Sequence, residues 1–267
     1  MERIRRTFAG LRASGETALI PFSVAGYPDY ETSMEVFLTL ARSGGDIIEF
    51  GFPFSDPVAD GPVIQKAASE AIRGGITMDA ALDMVAAIRN ETETPMIFFS
   101  YFNPIMKYGA EKFVLRAREC GLDGVLVVDL PLEETAWLKP VVDATGLAWI
   151  FLATPTTPAP RVEAMCREGS GFLYYVSVTG VTGARTSLPE DLASECASIR
   201  NGIKLPLAVG FGVSSAQQAA WLKPHVDGVV VGSAIVSRIA EGRPLDSIGE
   251  WLGGIKSALQ RTGGSSD

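Results

Sequence analysis

Eight short runs of this chain are apolar almost throughout, and segments of helical periodicity lie between them. The runs are 17–24, 46–51, 95–101, 123–129, 147–153, 171–177, 205–210 and 227–231. A strand with one wet face alternates apolar and polar residues, whereas several of these runs do not, as expected of parallel strands covered on both faces. Helical segments between them include 30–43, 77–90, 109–120, 133–144, 188–201 and 214–222. Stop and start signals fit: Gly-Gly pairs at 44–45 and 74–75 and Gly121 at helix ends, Asp79 and Asp191 in first turns. Eight alternations in 267 residues predict one α/β domain over 1–267, a closed (β/α)8 barrel of the TIM type. The opening MERIRRTFAGLRASGE reads as an extra N-terminal helix, and residues 262–267 as a frayed tail. An open doubly wound sheet is the rival, but the loop after the first strand reads AGYPDY and carries no dinucleotide fingerprint.

The net charge is −8, with acidic residues spread along the chain, which argues against nucleic acid as a partner. No apolar run approaches the roughly 20 residues that span a bilayer. The N-terminus has no signal-peptide core, so a cytoplasmic location is expected. Cys120, Cys166 and Cys196 are widely spaced, which supports neither a disulfide framework nor a metal site. They read as reduced thiols in helices. The single histidine, His225, stands at a strand entrance, where a structural or surface role is expected.

The run from Ile48 to Pro62, IEFGFPFSDPVADGP, carries the chemistry. Glu49 lies near the end of the second predicted strand. By alternation Ile47 and Glu49 share a face, so an inward Ile47 sends Glu49 into the barrel mouth. An unpaired buried carboxylate is costly, and no cationic partner is evident nearby, which favours acid–base work. Asp60 follows on the next loop, where Asp-Gly is also a common turn signal. Asp56 before Pro57 has the same ambiguity, and there the turn is expected.

Late strand exits are rich in glycine: GVTGA at 180–184, GFGVSS at 210–215 and GSA at 232–234. The last two follow strands seven and eight, where many barrels cradle phosphate. Glycine lets backbone N–H groups approach an anion, and a short helix opening near Ser233 adds donors. Phe22, Phe99, Tyr101, Phe172 and Tyr174 either line an apolar pocket or pack the barrel core; a buried Tyr174 hydroxyl needs a hydrogen-bond partner. These features point to general acid–base chemistry on a small phosphate-bearing substrate, with a sugar-phosphate isomerase or epimerase as one reading on the same fold.

The signature IEFGFPFSDPVADGP resembles that of the tryptophan synthase alpha subunit family. PFSVAGYPD, YFNPIMKYG, VLVVDLPLEE, YYVSVTGVTGAR, VGFGVSS and VVVGSAIV match family segments in the same order. Phe50 departs from the family pattern, in which an aliphatic residue is usual, and TPTTPAPRVEAM is less diagnostic. The resemblance implies retro-aldol cleavage of indole-3-glycerol phosphate to indole and glyceraldehyde 3-phosphate, with no metal or cofactor on this chain. By motif it implies Glu49 as the carboxyl that moves the proton at indole C3, Asp60 as partner of the indole N–H, and Tyr174 beside Glu49. It places Phe22, Ile64, Phe99, Leu126, Val128 and Thr182 around the indole and glycerol parts. Gly183, Phe211, Gly212, Gly232 and Ser233 fall at the phosphate. It also implies a beta subunit, bearing pyridoxal phosphate, in an αββα assembly, with loop 53–60, residues 101–104 and Asp129-Leu130-Pro131 facing it. Loops 53–60 and 179–187 are expected to close together over bound substrate.

Overall fold

A computed structural model describes residues 1–176, 191–210 and 212–260. Its strands are β1 (Ala18–Val24), β2 (Ile48–Gly51), β3 (Met96–Ser100), β4 (Gly124–Val127), β5 (Ala148–Ala153), β6 (Leu173–Val176), β7 (Leu207–Gly210) and β8 (Gly228–Val231). All neighbours are parallel, in sequence order, and β8 closes on β1. This is the (β/α)8 barrel, with α1 (Glu2–Ser14) added before the first strand.

The helices are α2 (Tyr30–Arg42), α3 (Pro62–Arg73), α4 (Met78–Glu91), α5 (Phe102–Tyr108), α6 (Ala110–Glu119), α7 (Lys139–Thr145), α8 (Ala159–Glu168), α9 (Leu192–Gly202), α10 (Ala216–Leu222), α11 (Ser233–Ala240) and α12 (Leu245–Leu259). Asp29, Thr77 and Ser215 cap α2, α4 and α10 through side-chain hydrogen bonds. The predicted helix at 133–144 is divided into a 3-10 turn, Leu132–Thr135, and α7. Pro140 lacks the N–H that a continuous helix needs there, but it is tolerated in the first turn of α7. Asp191 is the N-cap residue of α9, just before the first turn, and its side chain caps nothing. Residues 188–190 of the predicted helix and the tail 262–267 lie outside the described residues, as does loop 179–187.

Strand alternation separates two cores. Inward residues form one cluster: Ala18, Ile20, Ile47, Ile97, Leu126, Ile150, Phe172, Tyr174, Ala208 and Val230. Ile4 and Phe8 of α1 join it, with the Phe8 and Phe172 rings 5.7 Å apart, so α1 packs against the N-terminal end of the barrel interior. Phe172 is thus core, not pocket wall. Outward residues pack beneath the helices. Phe50 is one of them, stacked on Phe37 of α2 at 4.5 Å, which is why a larger side chain fits without touching the barrel interior.

The three cysteines are free; Cys120 and Cys196 are buried and Cys166 half-buried. His225 follows α10, 5.3 Å from the Trp221 ring, at the strand-entrance end. No helix among the described residues is long and apolar enough to cross a membrane.

Candidate functional site

Following the inward face of each strand toward its carboxyl end leads to one cavity of about 270 Å³. Ile20 leads to Phe22, Ile47 to Glu49, Ile97 to Phe99, Leu126 to Val128 and Ile150 to Leu152, each two residues on. Tyr174 leads to Val176, Ala208 to Gly210, and Val230 to Gly232. All eight strands therefore contribute to the wall. Register brings the first wall residues side by side: Phe22 is opposite Glu49, and Glu49 is opposite Ile97.

Glu49 is 1% exposed, and its Oε1 makes no hydrogen bond among the described residues. Burial in this apolar setting holds its carboxyl well above the usual range. Burial thus favours the protonated form of this carboxyl, which can give its proton to a substrate atom.

Asp60 reaches the cavity from the β2–α3 loop. Its N–H donates to Pro57 O at 3.0 Å, which closes a turn, while its side chain is buried. Tyr101 Oη donates to Asp60 Oδ2 at 3.1 Å and accepts the Ala59 N–H at 3.0 Å. Burial raises the Asp60 carboxyl to about 6, and the Tyr101 hydrogen bond opposes that rise. Asp60 is both turn-former and buried carboxylate. Asp56, by contrast, is exposed and bonded to Ser55 Oγ at 2.5 Å within its turn.

Tyr174 is nearly buried in the same cavity, and burial pushes its phenol well above the usual range, with Glu49 and Asp60 adding to the rise. It stays a neutral hydroxyl. The Phe22 and Phe99 rings meet edge to face at 5.3 Å and form an apolar wall, with Ile64 of α3 also lining the cavity.

Gly212, Gly232 and Ser233 line the same cavity after β7 and β8. Gly212 has φ 69°, a left-handed conformation that favours glycine. Ser233 is the first residue of α11 and is buried. The first N–H groups of a helix have no intrahelical acceptor, so this end offers donors to an anion.

Ten of the site residues named from sequence thus share one cavity: Phe22, Glu49, Asp60, Ile64, Phe99, Val128, Tyr174, Gly212, Gly232 and Ser233. Leu126 lies one layer lower, fully buried in the barrel interior. Thr182, Gly183 and Phe211 lie outside the described residues. Leu152, Thr154, Val176, Gly210 and Val230 also line the cavity and were not named from sequence. Most of them are the inward residues of their strands, a signal present in the alternation. Among the described residues no group of three or more His, Cys, Asp and Glu side chains could hold a metal ion.

A family model for the tryptophan synthase alpha chain matches residues 8–250. The chain belongs to the tryptophan synthase alpha chain family. An alpha chain from Citrifermentans bemidjiense is 48% identical over 261 residues, covering 98% of this chain and 97% of the relative. One from Geobacter sulfurreducens is 44% identical, covering 99% and 100%. Among solved structures, Mycobacterium tuberculosis tryptophan synthase superposes with a TM-score of 0.91 at 33% identity, covering 97% of this chain and 99% of that one. The alpha chain of Legionella pneumophila gives 0.89 at 36% identity, covering 96% and 97%. The tryptophan synthase alpha chain family is a family of enzyme subunits, which accords with a cavity that gathers two buried carboxyls.

Proposed function

We propose that this chain is a carbon–carbon lyase that cleaves indole-3-glycerol phosphate to indole and glyceraldehyde 3-phosphate. The observation that carries this reading is the convergence of Glu49, Asp60 and two glycine-bearing strand exits on one apolar cavity. In the reaction a proton is added at indole C3, a proton leaves the adjacent glycerol hydroxyl, and the carbon–carbon bond between them breaks. Glu49, with a proton held by burial, supplies the first and as a carboxylate receives the second.

Protonation at C3 makes the ring nitrogen cationic. Asp60, ionised above about pH 6, accepts the indole N–H and balances that charge. Tyr101 holds its carboxylate in place. Phe22, Ile64, Phe99 and Val128, with Thr182, would surround indole and glycerol, and Leu126 would support them from the layer below. Gly212, Gly232 and Ser233, with Gly183 and Phe211, would take the phosphate. A sugar-phosphate isomerase would have little use for the Phe22–Phe99 wall.

Family membership supports a beta-subunit partner. We assign the αββα assembly, the pyridoxal phosphate on that partner, the absence of a cofactor here and a cytoplasmic location to the same reading. Asp129 Oδ1 accepts the Phe102 N–H at 2.7 Å and joins two of the loops assigned to the partner face. The test is to supply indole-3-glycerol phosphate to the purified chain, with and without a beta subunit, and measure indole and glyceraldehyde 3-phosphate. Equimolar release of the two supports the reading. No release under either condition overturns it.

A further inference from the structure

The Phe22 ring rests on two glycines from the strands that flank β1. A Cβ built on Gly232, just after β8, would lie 3.3 Å from its Cδ1, 3.4 Å from its Cβ and 3.5 Å from its Cγ. A Cβ built on Gly51, the last residue of β2, would lie 2.5 Å from its Cε2 and 2.6 Å from its Cζ, closer than real atoms approach. The ring is thus rooted beside Gly232, and its far edge fills the place of a side chain at 51. Gly51 is not among the glycines with positive φ, so its backbone conformation does not call for glycine; the space does. The same Cβ would lie 2.8 Å from Ser23 O, so the β1 backbone adds to that demand.

A displaced ring has one place to go. Phe99 packs on it edge to face at 5.3 Å, and the Phe99 ring is 6.4 Å from that of Tyr174, so the aromatic wall is continuous on that side. Gly51 borders a narrow recess beside loop 53–60, shared with Phe22, Ile64, Phe99 and Tyr101. That recess holds only about 10 Å³, room for one water and not for part of a ring. The site cavity, about 270 Å³, is the free space beside Phe22. A side chain at 51 therefore drives the ring into the space a ligand would fill. Gly51 does not itself line the cavity, so its influence runs through Phe22.

We propose that Gly51 is a positioning residue that determines specificity: by leaving room for the Phe22 ring, it sets how large an aromatic ring system the cavity accepts. The inference rests on the reading of this cavity as the site of an indolyl phosphate ester.

The experiment measures the affinity of the full chain for two esters that cannot be cleaved, 3-(indol-3-yl)propyl phosphate and 3-phenylpropyl phosphate, by titration calorimetry. In Gly51→Ala the indolyl ester is expected to bind about tenfold more weakly, and the smaller phenyl ester to lose no more than about twofold, because the added methyl overpacks the ring space. With indole-3-glycerol phosphate, KM should rise about tenfold while kcat falls less than about threefold, since binding and not proton transfer is disturbed. In a Phe22→Ala background the same substitution should change indolyl affinity by less than about twofold. Thermal melts check folding. If Gly51→Ala alone does not melt cooperatively, Gly51→Ala/Phe22→Ala is expected to regain a cooperative melt. Undiminished indolyl binding in Gly51→Ala overturns the proposal, as do equal losses of the two esters or a full loss that persists without the Phe22 ring. So does a lower kcat at unchanged KM, which would place the effect on Glu49. A double variant that still fails to fold makes Gly51 a requirement of the Ser23 backbone and also overturns it. A wild-type chain that binds neither ester overturns the reading of the cavity itself, and this inference with it.

Discussion

A Cβ built on Gly210 would lie 2.3 Å from the Tyr174 hydroxyl oxygen, closer than real atoms approach. The two residues are on adjacent strands, with Tyr174 paired to Ala208 two positions below Gly210. The tyrosine hydroxyl therefore occupies the space that any side chain at 210 would take. Gly210→Ala is expected to force Tyr174 aside and to lower indole release by an order of magnitude or more. In a Tyr174→Ala background the same substitution should cost much less. A double-mutant cycle on kcat/KM measures this, and additive effects would show that the two positions are independent.

Glu49→Gln keeps the shape of the side chain but removes the transferable proton. Turnover is expected to fall about 10²–10⁴-fold. Binding of a non-cleavable substrate analogue should persist, because the apolar wall and phosphate donors are untouched. A variant with near-normal kcat would remove Glu49 from the mechanism.

Asp60→Asn separates activity from stability. Burial raises the Asp60 carboxyl from an ordinary 3.8 to about 6 in the folded chain. The folded state therefore binds this proton more tightly than the unfolded state, and stability declines as pH rises from about 4 to about 6. Asparagine cannot ionise, so the variant should melt higher than the wild type at pH 8, by roughly 1–3 kcal/mol of stability, and match it near pH 4. Its indole release should nevertheless fall severely, since a neutral amide cannot balance charge on the indole ring. Thermal melts at the two pH values and one turnover assay check both halves.

Tyr101→Phe bears on the same group. The Tyr101 hydrogen bond lowers the Asp60 carboxyl, so its loss raises that carboxyl further. The acid limb of the kcat/KM profile, expected near pH 6, should move to higher pH in the variant. An unmoved limb would assign it to another group.

Phe8→Ala tests the opposite end of the barrel. Phe8 is 6% exposed and packs on Phe172, far from the carboxyl ends of the strands. Truncation should cost about 3–5 kcal/mol, read as a lower melting temperature, while the folded fraction keeps its turnover.

The sequence by itself determined the strands and their order in the chain, because apolar runs are local properties of neighbouring residues. Alternation put Ile47 and Glu49 on one face and the glycines were marked after β7 and β8, but which face is inward was decided by closure of the barrel. Three relationships were decided only by tertiary structure. Tyr101 holds Asp60 across 41 positions. Leu126 falls one layer below the cavity while Val128 lines it, because depth along a strand depends on the stagger between neighbours, and that stagger is set by closing the barrel. Gly210 is required by a ring on the next strand, a contact that exists only once β6 and β7 are paired. Each depends on how segments distant in sequence meet, so no local pattern encodes it.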